Sequence, residues 1–300
     1  MRILITGATG LIGKPVLERL ANADQETVAF VRRPFNAGSN VTVELGDIRD
    51  AGAINKVIEK YRPDVVIHMA ALLQFACEDD PRLAADVNVI GTLNILEACR
   101  AYDVSRLVFG SSIAAYGMRT DLMHEDDPLS VNMSVYGETK RLGEVVGARY
   151  AALGGSEFVA LRYSGIFGPG AVASRGMAMA RHLIKTTATE GDVVIPDVIG
   201  EETTHMTYLD DAVEATALIA LSPTPLPHTI YNIAGPDENF LTLQQFHDAV
   251  RRVVPTAGKA RFAGPRARSA GPVNTSRIRA DTGFEPRFTV EAGFQAEFSR

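Results

Sequence analysis

The sequence is poor in the residues that build disulfides and metal centres. It contains two cysteines, Cys77 and Cys99, which lack the short spacing of a zinc site. None of the six histidines has another histidine four residues away, and none belongs to a cluster of carboxylates. We therefore expect no metal ion and no structural disulfide, as is usual for a reduced, cytoplasmic protein.

Long basic runs and long apolar runs are also missing. The net charge is −6, and no tract of lysine and arginine marks a nucleic-acid surface. The most apolar stretch, residues 65–77, is shorter than the ~20 residues that cross a bilayer. Residues 1–5 are typical of a strand, so we expect no signal peptide. We expect a protein that binds a small molecule, with no nucleic-acid or membrane partner.

Up to about residue 161 the chain alternates apolar runs with helical stretches. The runs are apolar almost throughout, which is typical of parallel strands covered on both faces. We predict strands at 2–6, 27–31, 41–44, 65–69, 107–110 and 158–161, and helices at 12–21, 53–60, 83–101 and 135–153. This order predicts an α/β fold, a doubly wound parallel sheet that binds its ligand at the carboxyl ends of the strands.

From residue 165 the pattern loosens and glycine and proline become frequent. Helices at 210–221 and 243–253 and a strand at 229–233 are still predicted. We expect a nucleotide-binding domain at 1–164 and a smaller, loop-rich C-terminal substrate lobe at 165–300, with segments around 203–235 returning to the first domain. Four cationic residues follow in this lobe and indicate either a solvated loop or an anchor for an anionic substrate: Lys259, Arg261, Arg266 and Arg268.

A glycine-rich turn, Thr6-Gly7-Ala8-Thr9-Gly10-Leu11-Ile12-Gly13, follows the first predicted strand and opens the first predicted helix. Without Cβ atoms, its backbone N–H groups and the helix N-terminus can approach a pyrophosphate. In this strand-turn-helix context, the turn predicts a dinucleotide cofactor.

The second predicted strand ends at Val31-Arg32-Arg33. An NAD enzyme usually places a carboxylate near this point to accept hydrogen bonds from the ribose 2′-hydroxyl. Guanidinium groups suit a 2′-phosphate instead. We predict NADP(H) as the preferred cofactor, with Arg32 the stronger candidate; the alternative is that both arginines face solvent and NAD(H) is also used.

Tyr136 and Lys140 lie one helical turn apart in Tyr136-Gly137-Glu138-Thr139-Lys140. A free phenol has a pKa near 10 and is a weak base at neutral pH. An ammonium beside the ring, together with the charge of an oxidised nicotinamide, favours phenolate and lowers that pKa. The pair therefore predicts proton transfer next to the dinucleotide.

These motifs occur in an order that resembles the extended short-chain dehydrogenase/reductase superfamily, in particular its NAD-dependent epimerase/dehydratase group. The resemblance extends over nearly the whole chain, through the segments 6–13, 46–47, 68–71, 86–92, 108–117, 136–140, 161–170 and 208–211. It implies a Rossmann domain with a small substrate lobe. It also implies a homodimer formed through the helices near 83–101 and 135–153.

The resemblance assigns roles to matching positions. Tyr136 is the implied acid/base, Lys140 its partner and Ser112 the hydroxyl that orients the substrate oxygen. Gln74, Ser112 and Gly165 are expected to face the substrate. The expected cofactor contacts are Gly7, Gly10, Leu11, Ile12, Gly13, Arg32, Arg33, Asp47, Ile48, Met69, Ala70, Ala71, Asn88, Ser111, Tyr136, Lys140 and Tyr163.

Departures from the family pattern narrow the chemistry. Ile113-Ala114 stands where sugar-nucleotide dehydratases place an acidic pair, so elimination of water is not supported. Thr204 stands where many sugar-nucleotide enzymes carry a phosphate-binding arginine, and Gly165 where many carry asparagine. The segments 69–73 and 111–114 are also similar to short-chain L-threonine dehydrogenases, which are NAD-linked and usually have serine in place of Gln74.

Three interpretations remain open. The first is an oxidoreductase or epimerase that exchanges hydride with a secondary alcohol or ketone of a sugar-like or β-hydroxy-carbonyl compound. The second is an amino-alcohol dehydrogenase of the threonine type. The third is a non-catalytic protein that senses NADP(H) or acts as a scaffold.

Overall fold

The computed structural model describes residues 1–131, 134–171, 176–265 and 269–299. Its main sheet contains β1 (Arg2–Thr6), β2 (Glu26–Val31), β3 (Val41–Leu45), β4 (Val65–His68), β5 (Arg106–Ser112), β6 (Glu157–Tyr163) and a later strand, β10 (Ile230–Ile233). All seven strands are parallel, in the order β10-β6-β5-β4-β1-β2-β3.

Helices cover both faces of this sheet. One face packs on α1 (Gly13–Ala21) and α8 (Leu209–Leu221), and the other on α2 (Ala51–Tyr61), α5 (Gly91–Ala101) and α6 (Val135–Ala152). The predicted doubly wound α/β fold is therefore confirmed. The strand order reverses between β1 and β4, which creates the crevice where such sheets bind ligands.

Two strands continue two residues beyond their predicted carboxyl ends. β5 continues to Ser112 and β6 to Tyr163, because these last residues stay in register with each other as partners. The extension places Ser111 and Ser112 at the carboxyl end of the sheet, next to the crevice.

The predicted helix 83–101 has a more complex form. After the short helix α3 (Gln74–Asp79), α4 (Pro81–Ala84) begins with Asp80 as its N-cap, and a π-helical segment, Ala85–Ile90, leads into α5. The wider π turn is a local rearrangement that occurs frequently at functional sites. Here it contains the buried side chain of Asn88.

The C-terminal part contains more helices and strands than the predicted loop-rich lobe would have. Its strands are β7 (Gly165–Phe167), β8 (Val193–Pro196), β9 (Thr203–Tyr208), β11 (Phe240–Thr242) and β12 (Ala260–Ala263). Its helices are α7 (Gly176–Glu190), α9 (Leu243–Val253), α10 (Ser276–Thr282) and α11 (Val290–Phe298). β11, β9 and β7 form one small sheet and β12 and β8 another.

A separate aromatic core holds this lobe together. Phe167 packs against Phe246 and Phe294, with ring centroids 5.6 and 5.5 Å apart. Within the lobe segment, α8 packs on α1 and β10 pairs with β6 of the main sheet. The exact domain boundary at 164/165 stays a prediction.

Candidate active site

The glycine turn lies directly against the chain that follows β4. Gly7 has a φ of +70°, and a Cβ atom at this position would be 2.5 Å from the backbone nitrogen of Ala70. A Cβ atom at Gly13 would be 2.2 Å from the carbonyl oxygen of Gly7. Both positions require glycine. The turn thereby keeps its backbone and the N-terminus of α1 close to the crevice, which fits the pyrophosphate of a dinucleotide.

Two cavities meet at this turn. The larger, of about 400 Å³, extends past the ends of β5 and β6 to α7 and the lobe. The smaller, of about 250 Å³, opens toward the ends of β2 and β3. Gly7, Gly10, Met69 and Ala71 line both. An extended dinucleotide can therefore place its two ends on opposite sides of the turn.

The larger cavity brings together most residues predicted to act at the nicotinamide end. Of the predicted residues, its lining contains Gly7, Gly10, Leu11, Ile12, Gly13, Met69, Ala71, Gln74, Ser111, Ser112, Tyr136, Lys140 and Tyr163. Tyr163 is buried, and its hydroxyl shares a hydrogen bond of 2.7 Å with Thr216. Gln74 is the first residue of α3 and faces the same cavity.

Ser112, Tyr136 and Lys140 are positioned by β5 and α6. Ser112 ends β5, and its Oγ accepts a hydrogen bond of 3.1 Å from the backbone N–H of Ala114. Tyr136 lies in the first turn of α6, and Lys140 follows one turn later. The Lys140 Nζ donates to the carbonyl oxygen of Gly110 at 2.6 Å and lies 5.6 Å from the centroid of the Tyr136 ring.

The environment shifts the pKa values of both α6 residues. Burial raises the pKa of Tyr136 to about 12, and its hydrogen bond with Ser112 acts in the opposite direction. Burial lowers the pKa of Lys140 to about 8, although Cys77 and Glu144 favour its charged form. The protein groups alone therefore keep the phenol protonated at neutral pH. The expected lowering of the Tyr136 pKa is not produced by Lys140 alone.

A buried ion pair supports the end of β5 from behind. Arg162 donates to both carboxylate oxygens of Glu144, at 2.9 and 2.7 Å. Ser111 donates from Oγ to the same carboxylate at 2.5 Å. Ser111 lines the cavity, but its hydroxyl is bound to this carboxylate.

The smaller cavity contains further residues that were predicted to contact the cofactor. It is lined by Arg32, Asp47, Ile48 and Ala70. The Asp47 carboxylate binds Arg49, with an N–O distance of 2.7 Å. Its pKa is lowered by the Arg49 hydrogen bond first, and the charge of Arg32 acts in the same direction.

Three predicted residues do not line either cavity: Arg33, Asn88 and Gly165. Arg33 is exposed. The amide oxygen of Asn88 accepts from the backbone N–H of Leu72 at 2.7 Å, and its nitrogen donates to the Leu72 carbonyl at 3.0 Å and to Thr139 at 3.1 Å. The Asn88 side chain therefore fixes the loop before α3 and is not aimed at either cavity.

Helix α7 contributes three polar cavity residues that the sequence pattern did not predict. Arg181, His182 and Lys185 line the larger cavity, together with Phe246 of α9 and Phe294 of α11. Arg181 and Lys185 are one helical turn apart, and this spacing is the sequence signal that places both cations on one helix face.

The predicted cationic loop has a different location. Lys259 and Arg261 do not line this cavity, and Arg261 is exposed on β12. The predicted anchors Arg266 and Arg268 lie outside the described residues.

In the described part of the chain, no three histidine, cysteine or carboxylate side chains are grouped as a metal site would require. None of the helices in the described ranges combines the length and apolar character needed to cross a bilayer.

Comparison with known proteins identifies several relatives. The chain is 26% identical to the UDP-glucuronate 4-epimerase of Thermodesulfobacterium geofontis, over 97% of this chain and 93% of the relative. It is 29% identical to a 3-diazoavenalumate denitrifying reductase of Streptomyces sp, over 79% of this chain and 83% of the relative.

One solved structure is similar over the whole length of this chain. The GalE-like L-threonine dehydrogenase of Cupriavidus necator has a TM-score of 0.89 and 26% identity, and the match covers 100% of this chain and 99% of that one. The model of the NAD dependent epimerase/dehydratase family matches residues 3–234, which include the glycine turn and the residues around Ser112 and Tyr136. The chain belongs to the NAD dependent epimerase/dehydratase family.

Proposed function

We propose that the protein is a nicotinamide-dependent enzyme that exchanges hydride with a secondary alcohol or ketone. One observation carries this proposal: Ser112, Tyr136 and Lys140 line the same cavity as the glycine turn. A bound nicotinamide supplies the carbon that accepts or donates the hydride. The chain itself must then orient the substrate oxygen and move one proton to or from it.

Tyr136 is the group proposed to move this proton. With its pKa raised to about 12 by burial, the phenol is protonated at neutral pH and suits the acid role in ketone reduction. Ser112 holds the substrate oxygen beside it. Lys140, fixed on Gly110, supplies a positive charge that stabilises a phenolate when the proton leaves.

The substrate class proposed first is a sugar-like or β-hydroxy-carbonyl compound. The similarity to the UDP-glucuronate 4-epimerase of Thermodesulfobacterium geofontis supports a sugar-like substrate. Ile113-Ala114 supports redox or epimerisation chemistry over dehydration. At the position where many sugar-nucleotide enzymes carry an arginine, this chain has a buried Thr204 on β9. Any nucleotide diphosphate would need a different anchor here.

A threonine-type dehydrogenase is the second candidate. Its support is the full-length similarity to the Cupriavidus necator L-threonine dehydrogenase and the segments 69–73 and 111–114. Gln74 replaces the usual serine at the cavity wall, which weighs against this candidate.

We propose NADP(H) as the preferred form of the cofactor, with NAD(H) also accepted. Arg32 lines the smaller cavity, while Arg33 does not. Asp47, which could otherwise accept from a ribose hydroxyl, is engaged by Arg49. The guanidinium of Arg32, whose charge also acts on Asp47, can donate charge-assisted hydrogen bonds to a 2′-phosphate.

We also propose a homodimer formed through the helices near 83–101 and 135–153. Three large apolar side chains on these elements are exposed: Ile90 by 45%, Leu142 by 42% and Val145 by 65%. Burying such side chains in a self-complementary interface would remove them from water.

The function is tested by following oxidation of NADPH or NADH with a panel of ketoses, sugar nucleotides and β-ketoacyl compounds, and reduction of NAD with threonine. We expect turnover with one of the first three classes. Turnover with threonine and NAD alone would favour the second candidate. Absence of any cofactor binding would contradict both.

A further inference from the structure

α7 carries a cationic site on the substrate side of the larger cavity. Arg181 is partly buried and lines this cavity, with His182 and Lys185 beside it. The part of the chain that the structure describes provides no hydrogen bond or ion pair for the Arg181 guanidinium. By contrast, Lys185 is paired with Glu297 at 2.7 Å. Among the described residues, the Arg181 guanidinium thus has no counter-ion.

The charge of the cavity wall reinforces this feature. Its described lining contains Lys140, Arg181 and Lys185 but no aspartate or glutamate. Burial lowers the pKa of Arg181 to about 10, which still leaves the guanidinium charged at neutral pH. A buried charge without a partner is costly, and a ligand of opposite charge would relieve that cost.

Gly165 lies next to the Arg181 guanidinium. A Cβ atom at Gly165 would lie 3.4 Å from Nη1 of Arg181 and 3.0 Å from the hydroxyl of Thr204. A side chain larger than alanine at 165, such as asparagine, would therefore enter the space next to the guanidinium. Glycine at 165 and arginine at 181 form one local arrangement.

Gly165, next to Arg181, lies near the strand end that carries the proposed catalytic hydroxyl. Ser112 is the register partner of Tyr163, and Gly165 follows Tyr163 by two residues. With strands ~4.8 Å apart and at most ~3.6 Å per residue, the Cα atoms of Ser112 and Gly165 are no more than about 12 Å apart. The Ser112 hydroxyl and the Arg181 guanidinium line the same cavity, so one substrate molecule can contact both.

We propose that Arg181 binds an oxyanion of the substrate, a carboxylate or phosphate group, so that the enzyme acts on anionic alcohols or ketones. This inference rests on the proposed function, because it names the substrate class of that same site. The planar guanidinium can donate two parallel hydrogen bonds to such a group. The apolar side chains of Phe246 and Phe294 line the same cavity as the cation.

The test measures binding of malonate and inorganic phosphate by calorimetry, to the protein as purified and after addition of NADP(H). Malonate represents a substrate with a carboxylate group, and inorganic phosphate represents a substrate with a phosphate group. Dimethyl malonate is the neutral control. We expect one of the two anions to bind wild type. Arg181→Leu should weaken that binding at least tenfold, Arg181→Lys should restore part of it, and dimethyl malonate should not compete.

Two further variants make the result specific. Gly165→Asn should also weaken anion binding, because it crowds the guanidinium. Arg261→Leu removes an exposed arginine of the same lobe and should change nothing. Cofactor affinity should be unchanged in Arg181→Leu.

The proposal is overturned if neither anion binds wild type, if Arg181→Leu binds as well as wild type, or if that variant loses cofactor affinity instead. Anion binding does not require hydride transfer. Failure of this inference would appear as absence of anion binding. Failure of the proposed function would appear as absence of turnover, so the two outcomes are distinguishable.

Discussion

Lys140 is tied to the carboxyl end of β5 by a hydrogen bond of 2.6 Å from its Nζ to the carbonyl oxygen of Gly110. This bond joins α6, which carries Tyr136, to the strand that carries Ser112. The ammonium is buried, and the Phe109 ring centroid lies 4.9 Å from it on the inner side. The spacing of the three proposed catalytic groups is therefore set by two packed elements and not by a loop.

The choice of cofactor is tested at Arg32. Arg32→Ala should lower kcat/KM for NADP(H) by about tenfold to a hundredfold and leave NAD(H) almost unchanged, because charge-assisted hydrogen bonds to a phosphate contribute about 1.5–3 kcal/mol. Arg33→Ala is the matched control, since Arg33 is exposed and does not line the cavity. Equal discrimination between the cofactors in wild type and Arg32→Ala would show that Arg32 does not bind the 2′-phosphate.

The glycine turn is tested by comparing two glycines with similar backbone strain. Gly7 and Gly38 have φ values of +70° and +79°, but only Gly7 has backbone atoms where a Cβ would lie. Gly38→Ala should cost about 1 kcal/mol of stability, the usual penalty for a left-handed alanine. Gly7→Ala should cost more and abolish cofactor binding, as measured by denaturant unfolding and by calorimetry. Cofactor binding retained in Gly7→Ala would contradict the role of the turn.

The strands of the main sheet and the glycine turn could be predicted from the sequence because they depend on local chemistry. The six apolar runs are strands, and the turn from Gly7 to Gly13 lies where strand β1 meets α1. The site residues near β5 and α6 follow from the same order. Features that depend on tertiary packing were less accessible.

Asn88 and Arg181 illustrate this limit. Asn88 lies on a helical segment near the cofactor site, but a π turn directs its side chain to the backbone of Leu72. Arg181 lies on α7, which the loosened pattern after residue 165 concealed. It reaches the cavity only because the aromatic core of the lobe packs α7 over the strand ends. No local sequence signal specifies that packing.

The stability of the sheet should depend on pH through His68. This side chain is buried between the hydroxyls of Thr6 and Thr92, and burial lowers its pKa to about 3. Below pH ~6.5 the unfolded chain gains a proton that the folded state does not. The free energy of unfolding should therefore fall by up to about 1.4 kcal/mol for each pH unit below that value.

Urea unfolding at pH 7 and pH 5 measures this effect. The loss on acidification should be smaller in His68→Gln by about 2 kcal/mol. His228→Gln, at an exposed histidine beside Asp281, is the control. Its loss of stability between the two pH values should be larger than that of His68→Gln. If wild type and His68→Gln lose the same stability between the two pH values, His68 is not held neutral in the folded state.

The proposed homodimer is tested by adding a charge to the exposed apolar surface of α6. Val145→Glu should shift the protein from dimer to monomer in sedimentation velocity, because a buried carboxylate without a partner is costly. Val194→Glu places the same charge on β8, where the side chain is 50% exposed, and should leave the assembly unchanged. A wild-type protein that is monomeric at all concentrations would refute the proposed interface.

The most direct test of the proposed chemistry is hydride transfer by Tyr136→Phe, measured with the substrate that the panel identifies and with saturating cofactor. The phenol is the proposed proton donor, so kcat should fall by about 10²–10⁴-fold while cofactor affinity is unchanged. Tyr150→Phe, at the other end of α6 where the hydroxyl contacts Glu97, should keep wild-type activity. Near-normal turnover by Tyr136→Phe would contradict the proposed mechanism.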